Sequence, residues 1–283
     1  MSDSRPIGVF DSGLGGLTVA REIFRLMPGE KIIYLGDTAR CPYGGRSEET
    51  IKTFGLEDAR LLTDCDVKLL VVACNTVSSV ALDLIAASCK DVPVIGVVVP
   101  GSRAAARRTA VRKVGVIGTA ATIRAGAYTR AIQGFDAAIK VYGKACPLFV
   151  PLVEEGLLDH EITRHAVQYY LAEVLDSGVD CIILGCTHYP LLMQTIQEMV
   201  GTRTQLLDSA LWTAREVLDI LKSLNGLAEG KTGGLAASRF LVTDYTAHFR
   251  DLACLFLGAE IPSIEQISLE KLTKPCTSVP AAA

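Results

Sequence analysis

Residues 183–190, Ile-Leu-Gly-Cys-Thr-His-Tyr-Pro, place a cysteine, a threonine and a histidine directly after a short apolar stretch. The apolar residues are typical of a buried strand, and the proline favours the start of a helix there. Residues 70–76, Leu-Val-Val-Ala-Cys-Asn-Thr, repeat this pattern 112 residues earlier, measured from Cys74 to Cys186. The sequence therefore predicts two equivalent strand-to-helix corners, each with a cysteine, which the fold brings together.

Apolar strands alternate with amphipathic helices along most of the chain, which is typical of parallel sheets covered by helices on both faces. Residues 115–120, Gly-Val-Ile-Gly-Thr-Ala, resemble residues 8–13 at an offset of 107, close to the offset between the two cysteines. We therefore predict an α/β fold with two similar doubly wound parallel-sheet domains that face each other across the active site. The first domain is predicted at 1–98 plus 209–270, the second at 99–208, and a flexible tail at 271–283.

Prolines and glycines set several predicted boundaries. Pro100 and Gly101 are predicted to end the fourth strand, at 92–98. Helices are predicted at about 76–87 and about 122–133. The loop 38–46 contains Pro42, Tyr43 and Gly44, and we predict that it helps to close the site. An ordinary surface turn is the alternative for this loop, because such residues are common in turns.

The composition excludes several classes of protein. With 283 residues, 49% hydrophobic and 21% charged, the chain has the composition of a globular protein, and its net charge of -3 gives no basic surface for nucleic acid. Residues 1–6 are polar and no apolar run is long enough for a membrane span, so we expect a cytoplasmic protein without membrane or nucleic-acid partners.

The nine cysteines argue against a disulfide framework, because the number is odd and nothing indicates secretion. No Cys-x-x-Cys pair is present, which argues against structural zinc. Most of the cysteines are expected to be small core residues, whereas Cys276 falls in the predicted tail. The expected core residues are Cys65, Cys89, Cys146, Cys181 and Cys254.

Polar residues cluster at the predicted carboxyl ends of strands, where doubly wound sheets bind their ligands. Helix N-termini at this edge offer free N–H groups to a carboxylate or phosphate, and their field is expected to lower the pKa of Cys74 and Cys186. Alternatively, the hydroxyl residues only cap helices and the cysteines only fill the core. The residues at these ends are Asp11, Ser12, Cys74, Asn75, Thr76, Thr119, Cys186, Thr187 and His188.

Two thiols on opposed domains suit one reaction: proton removal from one face of a carbon and proton delivery to the other face. This reaction inverts a stereocentre. Asp11 would assist Cys74, and His188 would assist Cys186, as neighbouring acid/base groups. The other histidines, His160, His165 and His248, have no such neighbours and are expected to be structural.

Four ordered motifs resemble the glutamate racemase family, within the cofactor-independent aspartate/glutamate racemase superfamily. They are Asp-Ser-Gly-Leu-Gly-Gly-Leu at 11–17, Pro-Tyr-Gly at 42–44, Ala-Cys-Asn-Thr at 73–76 and Leu-Gly-Cys-Thr-His-Tyr-Pro at 184–190. The resemblance implies interconversion of L- and D-glutamate without a cofactor, to supply D-glutamate for peptidoglycan. It also implies a homodimer whose arrangement stays open. Because few residues precede the first strand, activation by a peptidoglycan precursor is not expected.

The resemblance also implies roles for particular residues. Cys74 and Cys186 would be the two acid/base residues, with Cys74 acting on D-glutamate and Cys186 on L-glutamate. The residues that would hold substrate or assist catalysis are Asp11, Ser12, Tyr43, Gly44, Asn75, Thr76, Thr187 and His188, followed by Thr119, Thr122 and Glu154.

Other functions remain to be weighed against this one. Gly13-x-Gly15 suggests a dinucleotide site, but the third glycine of that fingerprint is replaced by Thr18. A zinc site could use Cys74, Cys186 and His188. A pyridoxal enzyme needs a lysine at the site, whereas Lys31, Lys68 and Lys113 precede strands at the opposite edge. A non-catalytic amino-acid-binding module is the alternative outside enzymes.

Overall fold

The computed structural model describes residues 3–228, 233–245 and 249–273, and within them ten strands form two sheets. The strands are β1 (Ile7–Asp11), β2 (Ile32–Gly36), β3 (Leu69–Val72), β4 (Val94–Gly96), β5 (Lys113–Gly118), β6 (Lys140–Ala145), β7 (Cys181–Gly185), β8 (Gln205–Asp208), β9 (Arg239–Val242) and β10 (Glu265–Gln266). The helices are α1 (Leu17–Leu26), α2 (Glu48–Thr63), α3 (Asn75–Val80), α4 (Leu82–Ser88), α5 (Val98–Arg108), α6 (Ala120–Ala125), α7 (Ala127–Phe135), α8 (Phe149–Glu154), α9 (Glu161–Asp176), α10 (Met193–Val200), α11 (Ser209–Ser223), α12 (Phe249–Leu257) and α13 (Leu269–Thr273).

The two sheets share one topology. The first has the order β10-β9-β2-β1-β3-β4 and the second the order β6-β5-β7-β8. Every pairing is parallel. The order β2-β1-β3-β4 in the first sheet is thus repeated by β6-β5-β7-β8 in the second. The predicted α/β fold with an internal repeat is confirmed, and β9 and β10 extend the first sheet.

Burial explains the apolar composition of four of the strands. Strands β1, β2, β3 and β7 are buried at every residue, as expected for parallel strands covered on both faces. The chain passes from the first sheet to the second through α5 and returns through α11. These two helices pack together, and Arg103 on α5 forms an ion pair of 2.5 Å with Glu216 on α11.

Several predicted boundaries were wrong. Pro100 and Gly101 do not end a strand but lie inside α5, where proline in the first turn is tolerated because the N–H groups there have no helical acceptor. The helix predicted at 122–133 is divided into α6 and α7 by Gly126, which has a φ of 64°. The helix predicted at 76–87 is divided into α3 and α4 at Ala81. Pro190 lies in a short 3-10 turn, Tyr189–Leu192, before α10 begins.

The domain boundaries remain a prediction. Of the predicted tail, residues 271–273 form the end of α13, whereas 274–283, with Cys276, lie outside the described residues. His248 lies outside them as well. Of the five cysteines expected in the core, Cys146 and Cys181 are buried and the other three are half-buried. Over the described ranges no helix has the length and apolar character to cross a membrane.

Candidate active site

The carboxyl ends of four strands converge on one cavity. Strands β1 and β3 are neighbours in the first sheet, and β5 and β7 are neighbours in the second. The cavity between these ends has a volume of about 30 Å³. Its lining consists of Ser12, Cys41, Pro42, Tyr43, Gly44, Cys74, Asn75, Thr76, Thr119, Val150, Cys186, Thr187 and His188. Cys74 and Cys186, from different sheets, therefore face one enclosed space.

The sequence-predicted residues fall into two layers. Ten of them line the cavity, and Asp11, Thr122 and Glu154 lie directly behind it. Each of these three contacts a lining residue by its side chain: Asp11 contacts Thr187, Thr122 contacts Thr76 and Thr119, and Glu154 contacts His188.

Cys74 lies at the N-cap of α3, where its sulfur is 3.6 Å from the hydroxyl oxygen of Ser12. Burial, followed by the negative charge of Asp11, raises the pKa of the Cys74 thiol to about 12, against the opposing hydrogen bonds from the backbone of Val77 and from Ser12. The helix terminus does oppose the rise through the backbone of Val77, but desolvation of the thiolate outweighs it, so the predicted net decrease in the pKa of Cys74 was wrong. The resting site therefore holds Cys74 as a protonated thiol.

His188 connects the second thiol to an acid. Its side chain is hydrogen bonded to Cys186, and Nε2 lies 3.1 Å from Oε1 of Glu154. Burial disfavours the imidazolium, but the hydrogen bonds and charges of Cys186 and Glu154 outweigh it and raise the pKa of His188 to about 10. A positive imidazolium thus lies beside the Cys186 sulfur at neutral pH.

Asp11 joins the two halves of the site from behind. Its Oδ2 accepts a 3.0 Å hydrogen bond from the Gly13 N–H, and its Oδ1 accepts a 3.4 Å bond from the Thr187 hydroxyl. Burial raises the pKa of Asp11, while the charge of His188 and the hydrogen bonds oppose the rise. Asp11, which is expected to assist Cys74, is therefore also hydrogen bonded to Thr187, at the corner that contains Cys186.

Three threonines form a second bridge between the sheets. Thr119 is the N-cap of α6, and its hydroxyl accepts from the Thr122 N–H at 3.2 Å. The Thr76 hydroxyl, at the corner after β3, lies 3.0 Å from that of Thr119 and 3.4 Å from that of Thr122. These contacts give Thr119 and Thr122 a structural role in closing the cavity.

The loop after β2 covers the cavity, as predicted, and reaches the second sheet. The carbonyl of Gly44 accepts a 3.1 Å hydrogen bond from the Ala121 N–H. A Cβ atom at Gly44 would lie 2.7 Å from the Cβ of Thr119, so only glycine fits there without a shift. The hydroxyl of Tyr43 is bonded to Asp37 and Asp58, so it is not free for a ligand.

A buried ion cluster holds this loop in place. The Arg40 guanidinium contacts Asp37 at 2.5 Å, Asp58 at 3.2 Å and also Glu57, and it lies over the ring of Phe54. Sequence reasoning missed this cluster, because its members come from the loop and from α2.

Cys41, Pro42 and Val150 were also missed as lining residues. Cys41 and Pro42 belong to the loop 38–46. The prediction that this loop helps to close the site was the only feature of the sequence that pointed to them. Val150 belongs to α8, a helix that was not predicted. Burial, together with the charges of Glu154 and Asp11, raises the pKa of the Cys41 thiol well above its usual range.

No group of three or more His, Cys, Asp or Glu side chains that could hold a metal ion occurs in the part of the chain that the structure describes. The zinc alternative therefore has no ready ligand set among these residues, and the absence of a cofactor stays a prediction.

The chain is similar to known racemases over most of its length. A family profile for Asp/Glu/hydantoin racemases matches residues 7–217. A glutamate racemase from Geobacter metallireducens is 46% identical over 266 residues, which cover 94% of this chain and 97% of that protein. A glutamate racemase from Chlorobaculum tepidum is 43% identical over 269 residues, with 95% and 98% covered.

The fold is similar to that of a solved relative. The crystal structure of glutamate racemase from Francisella tularensis in complex with D-glutamate aligns with a TM-score of 0.89 at 38% identity. The alignment covers 95% of this chain and 99% of that chain.

Proposed function

Since the chain belongs to the Asp/Glu/hydantoin racemase family, we propose that it interconverts L- and D-glutamate by two-thiol proton transfer at Cα. The glutamate racemases to which the chain is similar support this substrate, and the geometry of the site supports this mechanism. The observation that supports it best is that Cys74 and Cys186 reach the same cavity from the ends of two different sheets. A carbon between them presents opposite faces to the two sulfurs.

In the L-to-D direction, Cys186 as a thiolate takes the Cα proton, and the Cys74 thiol donates its proton to the opposite face, so the turnover leaves Cys186 as the thiol and Cys74 as the thiolate. The protonated state of Cys74 suits this donation, because burial keeps its pKa near 12. His188, hydrogen bonded to Cys186, serves as the neighbouring acid/base group on that side. In the reverse direction the two thiols exchange roles.

The substrate-holding residues are part of the same proposal. Ser12, Asn75, Thr76 and Thr187 line the cavity with polar side chains suited to the carboxylates and the ammonium group of glutamate. Behind them, Asp11 and Glu154 orient Thr187 and His188. Glutamate has ten non-hydrogen atoms, so a cavity of about 30 Å³ must widen to admit it.

The wider biological setting is also proposed, on the strength of the family resemblance. The enzyme would supply D-glutamate for peptidoglycan in the cytoplasm and would act as a homodimer. Size-exclusion chromatography with light scattering would test the dimer, and a single-chain mass at micromolar concentration would contradict it.

The direct test is circular dichroism of L-glutamate incubated with purified, cofactor-stripped protein, with L-aspartate in parallel. We expect the glutamate signal to decay to zero. In deuterated water the product should contain solvent deuterium in preference to the recovered substrate, because the two thiols need not share a proton. Binding of glutamate without loss of optical activity would instead indicate a non-catalytic binding module, and activity that EDTA abolishes and zinc restores would indicate a metalloenzyme.

Removing either thiol tests the mechanism. Cys74→Ala and Cys186→Ala should each stop racemisation in both directions, because every turnover needs both groups. The fold should persist, since a point change of this kind costs about 1 kcal/mol. Substantial racemisation by either folded variant would end the two-thiol mechanism.

A further inference from the structure

Tyr128 lies behind the cavity and belongs to no motif that the sequence singled out. It is a buried residue of α7, on the second-sheet side. Its hydroxyl donates a 2.6 Å hydrogen bond to Oδ1 of Asn75, the first residue of α3 after Cys74. A side chain packed on one sheet therefore holds a cavity-lining side chain of the other.

The other end of the Asn75 amide has no partner. Its Nδ2 is a buried side-chain atom without a hydrogen bond among the described residues, as are the hydroxyl oxygens of Ser79 and Ser102. Of these three residues only Asn75 lines the cavity. Buried amide donors are nearly always satisfied in proteins, so this N–H group points to a ligand with acceptor atoms.

Two glycines lie against the Tyr128 ring. A Cβ atom at Gly185, which precedes Cys186, would lie 3.3 Å from the ring, and one at Gly101 in α5 would lie 3.6 Å from it. The side chain of Ser209 at the start of α11 is also hydrogen bonded to the phenol. The hydroxyl therefore occupies a fixed place relative to Asn75.

The phenol also stays protonated over the pH range of an assay. Burial raises the pKa of Tyr128 above its usual value, and the charges of Cys186 and Asp208 add to the rise. The group that faces Asn75 Oδ1 is therefore an O–H donor. Because Oδ1 is engaged, the amide presents N–H rather than oxygen to the cavity.

We propose that Tyr128 is a positioning residue for the racemase site, which fixes the Asn75 amide so that its N–H donors face a carboxylate of the substrate. The inference rests on the proposed function, because it takes glutamate as the occupant of the cavity. Without the hydroxyl, the amide can turn by half a rotation and place its oxygen towards the substrate carboxylate, where the two acceptors repel each other.

The test is Tyr128→Phe, which removes only the hydroxyl. We expect KM for both enantiomers to rise about threefold to tenfold, as for the loss of one hydrogen bond, while kcat changes by less than twofold. The control is Tyr170→Phe, which removes the hydroxyl of another buried tyrosine; that hydroxyl bonds to the backbone of Leu148, and Tyr170 does not line the cavity. Its kinetics should match the wild type.

A double-mutant cycle separates positioning from general loosening of the fold. If Tyr128 acts through Asn75, Tyr128→Phe should leave KM unchanged in an Asn75→Ala background, because the amide to be oriented is gone. Equal effects of Tyr128→Phe in both backgrounds would overturn the inference. The inference would also be overturned if the wild type is active and Tyr128→Phe leaves its KM unaltered. A wild type that does not racemise glutamate would instead overturn the proposed function itself.

Discussion

Nε2 of His188 lies 3.1 Å from Oε1 of Glu154, so the imidazole joins the corner after β7 to the end of α8. The side chain of His188 is buried, whereas that of Glu154 is 42% exposed. Glu154, which together with Cys186 raises the pKa of His188, can therefore be replaced without disturbing the core.

Replacement of Glu154 should shift the pH dependence of the reaction. Glu154→Gln keeps an oxygen acceptor for Nε2 but removes the charge, so the pKa of His188 should fall from about 10 towards its ordinary value of 6.5. The alkaline limb of the profile of kcat/KM against pH should move to lower pH, and kcat/KM at pH 8 should fall by about tenfold. The control is Glu155→Gln at the neighbouring exposed residue. If the alkaline limb lies at the same pH for Glu154→Gln and the wild type, Glu154 does not set the protonation of His188 in the reaction.

Stability should decrease as the pH rises through the range in which His188 titrates. The pKa of His188 is raised from 6.5 in the unfolded chain to about 10 in the fold, so the folded protein holds the proton more tightly. This contribution is complete below about pH 6.5 and is lost towards pH 10, with a slope of at most about 1.4 kcal/mol per pH unit. Urea unfolding at several pH values should show the decrease for the wild type and a shallower one for His188→Asn. Parallel curves would show that His188 does not bind its proton more tightly in the fold.

The space beside Gly44 should limit what the covering loop tolerates. Gly44→Val would drive a side chain into Thr119, and a displacement of about 1 Å at a reacting site can cost about a hundredfold in rate. We expect kcat/KM to fall between about tenfold and a hundredfold. The neighbouring Gly45 offers a matched control, because a Cβ atom there would meet nothing within 4 Å. If Gly45→Val is as damaging as Gly44→Val, flexibility of the loop rather than this contact is the cause.

Loss of Arg40 should destabilise the protein strongly. Arg40→Met leaves Asp37 and Asp58 facing each other in the interior without a cation, and breaking a buried pair in this way costs about 3–5 kcal/mol. Asp37→Asn, added to Arg40→Met, should restore part of the loss by removing the uncompensated carboxylate, because burial and the charge of Asp37 already raise the pKa of Asp58 well above its usual range. Urea unfolding measures both changes.

The control for Arg40 is Arg164→Met, because Arg164 pairs with Asp159 and Glu198 at the surface. Exposed pairs of this kind contribute at most about 1 kcal/mol. Similar losses for both arginine variants would mean that the cluster under the loop contributes no more than a surface pair.

The sequence located the cavity because local patterns mark the ends of buried parallel strands. Asp11 is the last residue of β1, and Cys74, Thr119 and Cys186 follow the ends of β3, β5 and β7. The rule that ligands bind at that edge was sufficient to group them. The repeat of strand order was predictable for the same reason, since each half has similar residues at similar spacing.

What the sequence did not reveal depends on contacts between distant residues. The partner of Asn75 is Tyr128, on a helix of the other half, and the partners of Arg40 include residues of α2. No local pattern identifies such pairs. The strand end predicted at Pro100 was wrong because this proline lies in the first turn of α5. Proline breaks the interior of a helix but is accepted in its first turn.

The order of the first sheet has a consequence for how the chain is made. Ile33 in β2 pairs with Arg239 in β9, so this edge of the sheet is closed by residues synthesised long after β2 itself. The second sheet, by contrast, is formed by the continuous stretch 113–208. All of its strands have therefore been synthesised before β9 leaves the ribosome. Until then β2 presents unpaired N–H and C=O groups along its outer edge. Nascent or truncated chains that stop before β9 are therefore the forms of this protein most exposed to edge-to-edge aggregation.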